Sequence, residues 1–250
     1  MLADPHGARA FDVLSSDGST DMVKRLYGEK RTDATKEELC LKCHAPHAPA
    51  DQLHVTPSDP SPHREGVTCE ACHGPSEHWR RDHFSRVWPD IATADKKARA
   101  FDLTKLPDSH GKKTDLATRV RRCASCHVGD EHREVDHDLI AAGHPPLFFE
   151  YAAYDALYKN KHWNDADSPD HAIRAWAVGQ VAQTIAAVEL TKVRASRANE
   201  VGRAWPEFSE SSCFACHHEL AGSNRKPTHG KARRVGTPPW GTWQTGTVQL

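Results

Sequence analysis

The chain has 250 residues, a formal net charge of −1, 38% hydrophobic residues and a mean hydropathy of −0.70. This length allows one large domain or two small ones, the balanced charge does not indicate a nucleic-acid partner, and no apolar run reaches the length of a membrane span. Apolar side chains are few for a core of this size, so we expect a bound apolar group to complete it.

The predicted fold is mainly α with extensive loops and little or no β-structure. Hydrophobic spacing and terminal residues predict short helices at residues 21–27, 34–41 and 116–122. Residues 45–62 are rich in Pro and His and are expected to be irregular.

One long helical pattern covers residues 168–197. Ser168 is its expected N-cap. Its predicted core face carries Val178, Val181, Ala182, Ile185 and Val188. Residues 1–220 are expected to form one domain. Residues 221–250 carry many Gly and Pro and are expected to form an extended C-terminal arm on the protein surface or on a neighbour.

Four copies of the pattern Cys-x-x-Cys-His determine the class of the protein. All 8 cysteines fall in these motifs: Cys40 and Cys43, Cys69 and Cys72, Cys123 and Cys126, Cys213 and Cys216. The histidines that close the motifs are His44, His73, His127 and His217. This is the attachment signature of c-type haem, in which two thiols bond to the porphyrin and the His binds iron on the proximal side. Four haem c groups are therefore predicted, and they supply the missing apolar core.

Zinc sites and disulfides are the alternatives for paired cysteines. His makes up 18 of 250 residues, so its presence after all four pairs by accident has a probability of roughly 10⁻⁵ to 10⁻⁴, which disfavours zinc. A disulfide within a Cys-x-x-Cys pair is strained and reducible, which suits exchange chemistry and not four structural bridges.

The second axial ligand of each iron is predicted to be another histidine. The chain has only 2 Met, whereas 14 of its 18 His lie outside the closing position of the motifs. Bis-His ligation of most haems implies low-spin, low-potential irons that transfer electrons.

The residues around the second motif resemble the cytochrome c-554 family of tetrahaem electron carriers. The resemblance lies in residues 66–75, GVTCEACHGP, in the following Asp82-His83, and in residues 4–10, DPHGARA. It also covers the first and third motifs in order. Residues 134–145 and 213–218 look like a related multihaem branch.

The resemblance implies distal ligands for individual haems. His6 would bind the third haem, His83 would cap a neighbouring haem, and the haem on His44 would lack a protein distal ligand. The chain departs from the family pattern because no haem motif precedes His6 and the fourth motif is C-terminal.

Two further histidines, His137 and His144, are seven residues apart and either is a candidate for the second or fourth haem. His54 and His78 are weaker candidates for distal ligands. Gly143 and Pro145 indicate that His144 lies at the end of any helix that carries His137.

Three functions are compatible with this reading. The first is electron transfer between redox partner proteins, and it is favoured over an enzymatic function. The second is a subunit of a polymeric extracellular cytochrome filament, which requires self-association. The third is redox chemistry on nitrogen oxides or hydroxylamine at a five-coordinate haem. The first haem is the candidate for that chemistry.

Haem attachment through thioethers takes place on the export side of the bacterial membrane. We therefore expect a periplasmic or extracellular protein. Since residues 1–10 are polar, a signal sequence is not expected within this chain. Neither a nucleic-acid partner nor a membrane span is expected.

Overall fold

The computed structural model describes residues 6–46, 66–73, 81, 116–158, 169–217, 238–241 and 243–244. Eight α-helices lie in this part of the chain: α1 (Ala8–Asp12), α2 (Asp17–Tyr27), α3 (Glu38–His44), α4 (Cys69–His73), α5 (Leu116–His127), α6 (His137–Ala142), α7 (Tyr151–Leu157) and α8 (His171–Ser196). Short 3₁₀ turns accompany them at Val13–Ser15, Ala34–Lys36, Phe208–Glu210 and Cys213–Ala215. Within these ranges the only β-pairing is an isolated bridge between Ser211 and Trp240, so the expected mainly α fold is confirmed.

The N-terminal helices α1 to α3 pack around a small apolar cluster. Its buried members are Phe11, Leu14, Val23, Ala34 and Ala45. Helix α2 begins earlier than the predicted residue 21 because Ser16 caps it, its Oγ accepting a hydrogen bond from the Ser19 backbone N–H at 3.2 Å. The cluster also contacts Cys40, so it supports the first haem-attachment motif.

Helices α5, α7 and α8 form the second apolar cluster. Outside α8 its buried members are Val120 and Ala124 of α5, Val128, Phe149, and Tyr151 of α7. Helix α5 extends five residues beyond the predicted residue 122 and carries the whole third motif. The cluster therefore fixes the helix on which the third motif lies.

Helix α8 confirms the predicted long helix, although it begins at His171 and Ser168 lies outside the described residues. The predicted apolar face is wrong at three positions, because Val181, Ile185 and Val188 are 54%, 38% and 46% exposed. The buried face instead carries small and polar residues: Ala175, Gly179, Gln180, Ala182, Gln183, Thr184 and Ala187. Small side chains allow close approach of the aromatic residues of α7, which already fill the space between the helices.

Helix α6 packs against the N-terminal helices. Asp136 caps it by accepting a hydrogen bond from the Leu139 N–H at 2.8 Å, and it ends at Gly143, whose φ of 122° favours glycine. The Arg25 guanidinium of α2 donates to the Ala142 carbonyl at 2.8 Å. These contacts hold α6 against the N-terminal helices.

The described residues of the C-terminal segment pack back onto the protein. Ser212 N–H donates to the Pro239 carbonyl at 2.8 Å, and the Gln244 amide donates to the Leu147 carbonyl at 2.6 Å. The Trp243 ring lies 5.9 Å from that of Phe148. The division at residue 220 stays a prediction. None of the helices in the described ranges is long and apolar enough to cross a bilayer.

Candidate haem-binding sites

The first motif occupies α3, which places Cys40, Cys43 and His44 within two turns. The His44 Nδ1 lies 2.8 Å from the Ala10 carbonyl and donates to it. The bond to a backbone carbonyl fixes the ring orientation and leaves Nε2 as the unprotonated nitrogen, which is the form that binds a metal.

A second imidazole faces the first motif. His144 follows the C-terminus of α6, and its ring centre lies 6.4 Å from that of His44 with the planes at 74°. Its Nδ1 donates to the Pro145 carbonyl at 2.8 Å, so Nε2 is again the free nitrogen. Burial lowers the pKa of His144, a pull that the Pro145 carbonyl opposes and the nearby His44 reinforces. The structure thus places His144 opposite the first motif, whereas the second or fourth had been expected.

The third motif lies at the end of α5, and His6 approaches it from the N-terminal segment. The ring centres of His6 and His127 are 6.0 Å apart, with planes at 85°. Phe149 stacks on the His127 ring at 5.2 Å. Burial lowers the pKa of His127 to about 4, and His6 adds to the effect. A neutral imidazole is therefore the stable form here.

The fourth motif begins in the 3₁₀ turn Cys213–Ala215, and His137 faces it from the start of α6. The ring centres of His137 and His217 are 6.3 Å apart, and the planes are inclined by 30°. The Glu207 carboxylate accepts a hydrogen bond from the His137 backbone N–H at 2.9 Å. This contact ties the segment of the facing histidine to the segment that leads into the motif.

These three separations fit a pair of axial ligands. Two imidazoles that bind one metal ion from opposite sides, with bonds of about 2.0–2.1 Å, have ring centres about 6.3 Å apart. The observed values are 6.4, 6.0 and 6.3 Å. The residues present therefore fit bis-His haem at the first, third and fourth motifs.

The second motif forms α4, but the side chains of Cys69 and His73 lie outside the described residues. His54, His78 and His83 also fall outside them. The Arg122 guanidinium of α5 contacts the Cys72 carbonyl at 3.4 and 3.5 Å. The second motif therefore neighbours the helix of the third.

The first and third motifs are also neighbours. The Cys126 thiol lies close enough to Cys43 to raise the pKa of Cys43, and Cys43 in turn lowers the pKa of Cys126. The Arg133 side chain, six residues after the third motif, donates to the Lys42 carbonyl at 3.0 Å. Burial raises the pKa of Cys123 to about 12, and Cys72 of the second motif contributes. Three motifs thus meet around α5.

Sequence reasoning missed the polar contacts that support the fourth motif. Arg194 lies near the C-terminal end of α8, yet its side chain is only 7% exposed and bonds to Glu134 and Glu210. The available signal was its spacing, since Arg194 follows buried Ala187 and Leu190 by seven and four residues.

Comparison with known proteins gives two matches. The family model "Cytochrome c554 and c-prime" matches residues 3–74. Cytochrome c-554 of Nitrosomonas europaea is 28% identical over 137 residues, which cover 51% of this chain and 51% of the relative. The chain thus spans about half the length of the curated relative it matches. No solved structure is significantly similar.

Both matches name the family that the residues around the second motif resemble. The family model ends at residue 74, directly after the second motif, and so includes the first two. The mainly α fold of the described residues agrees with this class. The matches and the motifs together identify a c-type cytochrome that resembles cytochrome c-554.

Proposed function

We propose that this chain is an electron-transfer protein that carries four covalent haem c groups, most of them with two axial histidines. The three facing imidazole pairs carry this proposal: His44 with His144, His127 with His6, and His217 with His137. When bound, haem iron with two imidazoles supplies a reversible one-electron couple. The protein residues hold both axial positions and exclude other ligands from them.

The arrangement of the motifs supports electron transfer between sites. The first motif neighbours the third, because the Arg133 side chain donates to the Lys42 carbonyl and Cys43 lies close to Cys126. The third neighbours the second through Arg122. Helix α6 carries His137 at its start, and His144 lies two residues after its end, so it links the fourth site to the first. The proposed order of sites is therefore fourth, first, third, second.

Redox chemistry on nitrogen oxides or hydroxylamine needs an iron with an open face. The first haem was the candidate, on the resemblance, but the His144 imidazole faces His44 there. This favours electron transfer over catalysis at that site. We also propose redox partner proteins and an exported location. Self-association as a filament subunit is the alternative proposal.

Single substitutions of the three facing histidines test the proposal. We expect H6N, H137N and H144N each to convert one haem in four from low spin to high spin, measured by electron paramagnetic resonance and absorption of the ferric holoprotein. His132 is the matched control, because its ring is exposed and pairs with Glu131; H132N should leave every haem low spin. Three variants that all keep the wild-type spectrum would contradict the ligand assignment.

Electron transfer itself is tested on the wild-type holoprotein. All haems should accept electrons from a chemical reductant and return them to an electrode without turnover of added nitrite or hydroxylamine. Sustained consumption of either compound, with a high-spin signal in the wild type, would favour the enzymatic alternative.

A further inference from the structure

A buried arginine joins the two segments that meet at the fourth motif. Arg194 lies in the last turn of α8, and its side chain is 7% exposed. Its guanidinium donates four hydrogen bonds, to Glu134 at 3.0 Å, Glu210 at 3.1 Å, Ser209 at 3.2 Å and the Val135 carbonyl at 3.3 Å. One side chain thus satisfies acceptors from two separate parts of the chain.

The acceptors lie in the two segments that lead to the histidines of the fourth site. Glu134 and Val135 precede His137, while Ser209 and Glu210 precede the turn at Cys213. Glu207 also joins the two segments, because its carboxylate accepts from the backbone N–H groups of His137 and Ser209, each at 2.9 Å.

The charges make the arginine necessary for this arrangement. Glu134 and Glu210 are 17% and 10% exposed in their side chains, so each carboxylate depends on a cationic partner. Arg203 supplies a second partner to Glu134 alone. Without Arg194, Glu210 keeps no cationic partner in this cluster, and a buried carboxylate without one moves toward water or becomes protonated.

We propose that Arg194 is a positioning residue of the fourth haem site, which holds His137 at the distance from His217 that a shared iron requires. The inference rests on the proposed function, because it takes His137 and His217 as the axial pair. Arginine suits the role because its planar guanidinium presents five donors in fixed directions. Lysine has a single ammonium group and reaches fewer of the four acceptors at once.

The test compares R194Q and R194K with the matched control R197Q in the haem-loaded protein. Arg197 directly follows α8, is 35% exposed, pairs with Glu200 and donates to the Glu131 carbonyl. We expect R194Q to give a high-spin signal from one haem in four, which added imidazole returns to low spin. R194K should give a smaller high-spin fraction, and R197Q none.

The variant H137N separates this inference from the ligand assignment. If H137N produces one high-spin haem and R194Q produces none, Arg194 does not position the ligand and the inference is overturned. If H137N leaves all haems low spin, the axial pair itself is wrong. The double variant R194Q/H137N should show no second high-spin haem, and a second one would overturn the inference. Where R194Q yields no haem-loaded protein, R194K decides by the same signals.

Discussion

The close approach of α7 and α8 predicts opposite effects for two helical glycine substitutions. A Cβ at Gly179 of α8 would lie 3.0 Å from the Tyr151 Cβ, whereas a Cβ at Gly18 of α2 would meet only the Ser16 Oγ at 3.9 Å. Alanine in place of glycine stabilises an unhindered helix by about 0.5–1 kcal/mol. G18A should therefore stabilise the protein by about that amount.

For G179A the same gain is offset by steric repulsion. The contact atom is the Cβ of Tyr151, a side chain that is 2% exposed, and a Cβ cannot rotate away as a side-chain tip can. Overpacking of this kind costs about 1–3 kcal/mol, so the net loss is up to about 2 kcal/mol. At about 2–4 °C per kcal/mol for a chain of this size, the Tm should fall by up to about 8 °C, and that of G18A should rise by about 1–4 °C.

Thermal unfolding of both haem-loaded variants, followed by far-ultraviolet circular dichroism, measures these shifts. Phe149 connects this contact to the third site, because it packs with Tyr151 at 6.5 Å and stacks on His127. Absorption of the haems should therefore change in G179A before it changes in G18A as the temperature rises. A Tm for G179A at or above that of G18A would refute the argument from the 3.0 Å contact.

Two further predictions concern pH and the haem itself. Burial acts to raise the pKa of Glu134, but hydrogen bonds and charges from Arg194 and Arg203 outweigh it and hold the pKa below its ordinary value of 4.5. The stabilisation by Glu134 is therefore full above pH 4.5 and is lost as the pH falls through the lower pKa of the folded state. The Tm difference between wild type and E134Q should be largest near neutrality and shrink in acid. A Tm difference independent of pH would exclude this cause. The chain made without haem attachment should lose most of its helical circular dichroism, because the described apolar clusters hold only eight and five buried residues; a protease-resistant apo-chain would contradict this.

The motifs and the helix class were predictable because they depend on local sequence. Cys-x-x-Cys-His spacing requires only a short turn or helix, and α2, α5 and α8 lie where the local pattern predicts helices, although each differs from its predicted bounds. The buried face of α8 was not predictable in this way. Its small residues are buried because Tyr151 of α7 and the preceding Phe149 pack against them. Which side chains pack on a helix is set by the tertiary structure.

The pairing of histidines needed the fold for the same reason. Fourteen histidines compete for the distal positions in sequence, and spacing alone does not distinguish them. The resemblance assigned His6 to the third motif, and those rings lie 6.0 Å apart. The resemblance implied no distal protein ligand for the haem on His44, whereas the structure places the ring centre of His144 6.4 Å from that of His44. The difference arises from α6, which packs on α2 through Arg25 and Ala142 and so directs its C-terminal end toward α3.

Helix α6 is short, and that shortness has a consequence for the proposed electron path. The helix His137–Ala142 is about 9 Å long at 1.5 Å per residue, and His144 follows two residues after its end. His137 faces the fourth motif and His144 faces the first. Arg194 anchors the segment before His137, and Arg25 anchors the end of the helix that leads into His144. Because contacts hold both ends of α6, we expect the fourth site to stay near the first. A C-terminal motif can therefore join the three motifs around α5 without a second long scaffold helix.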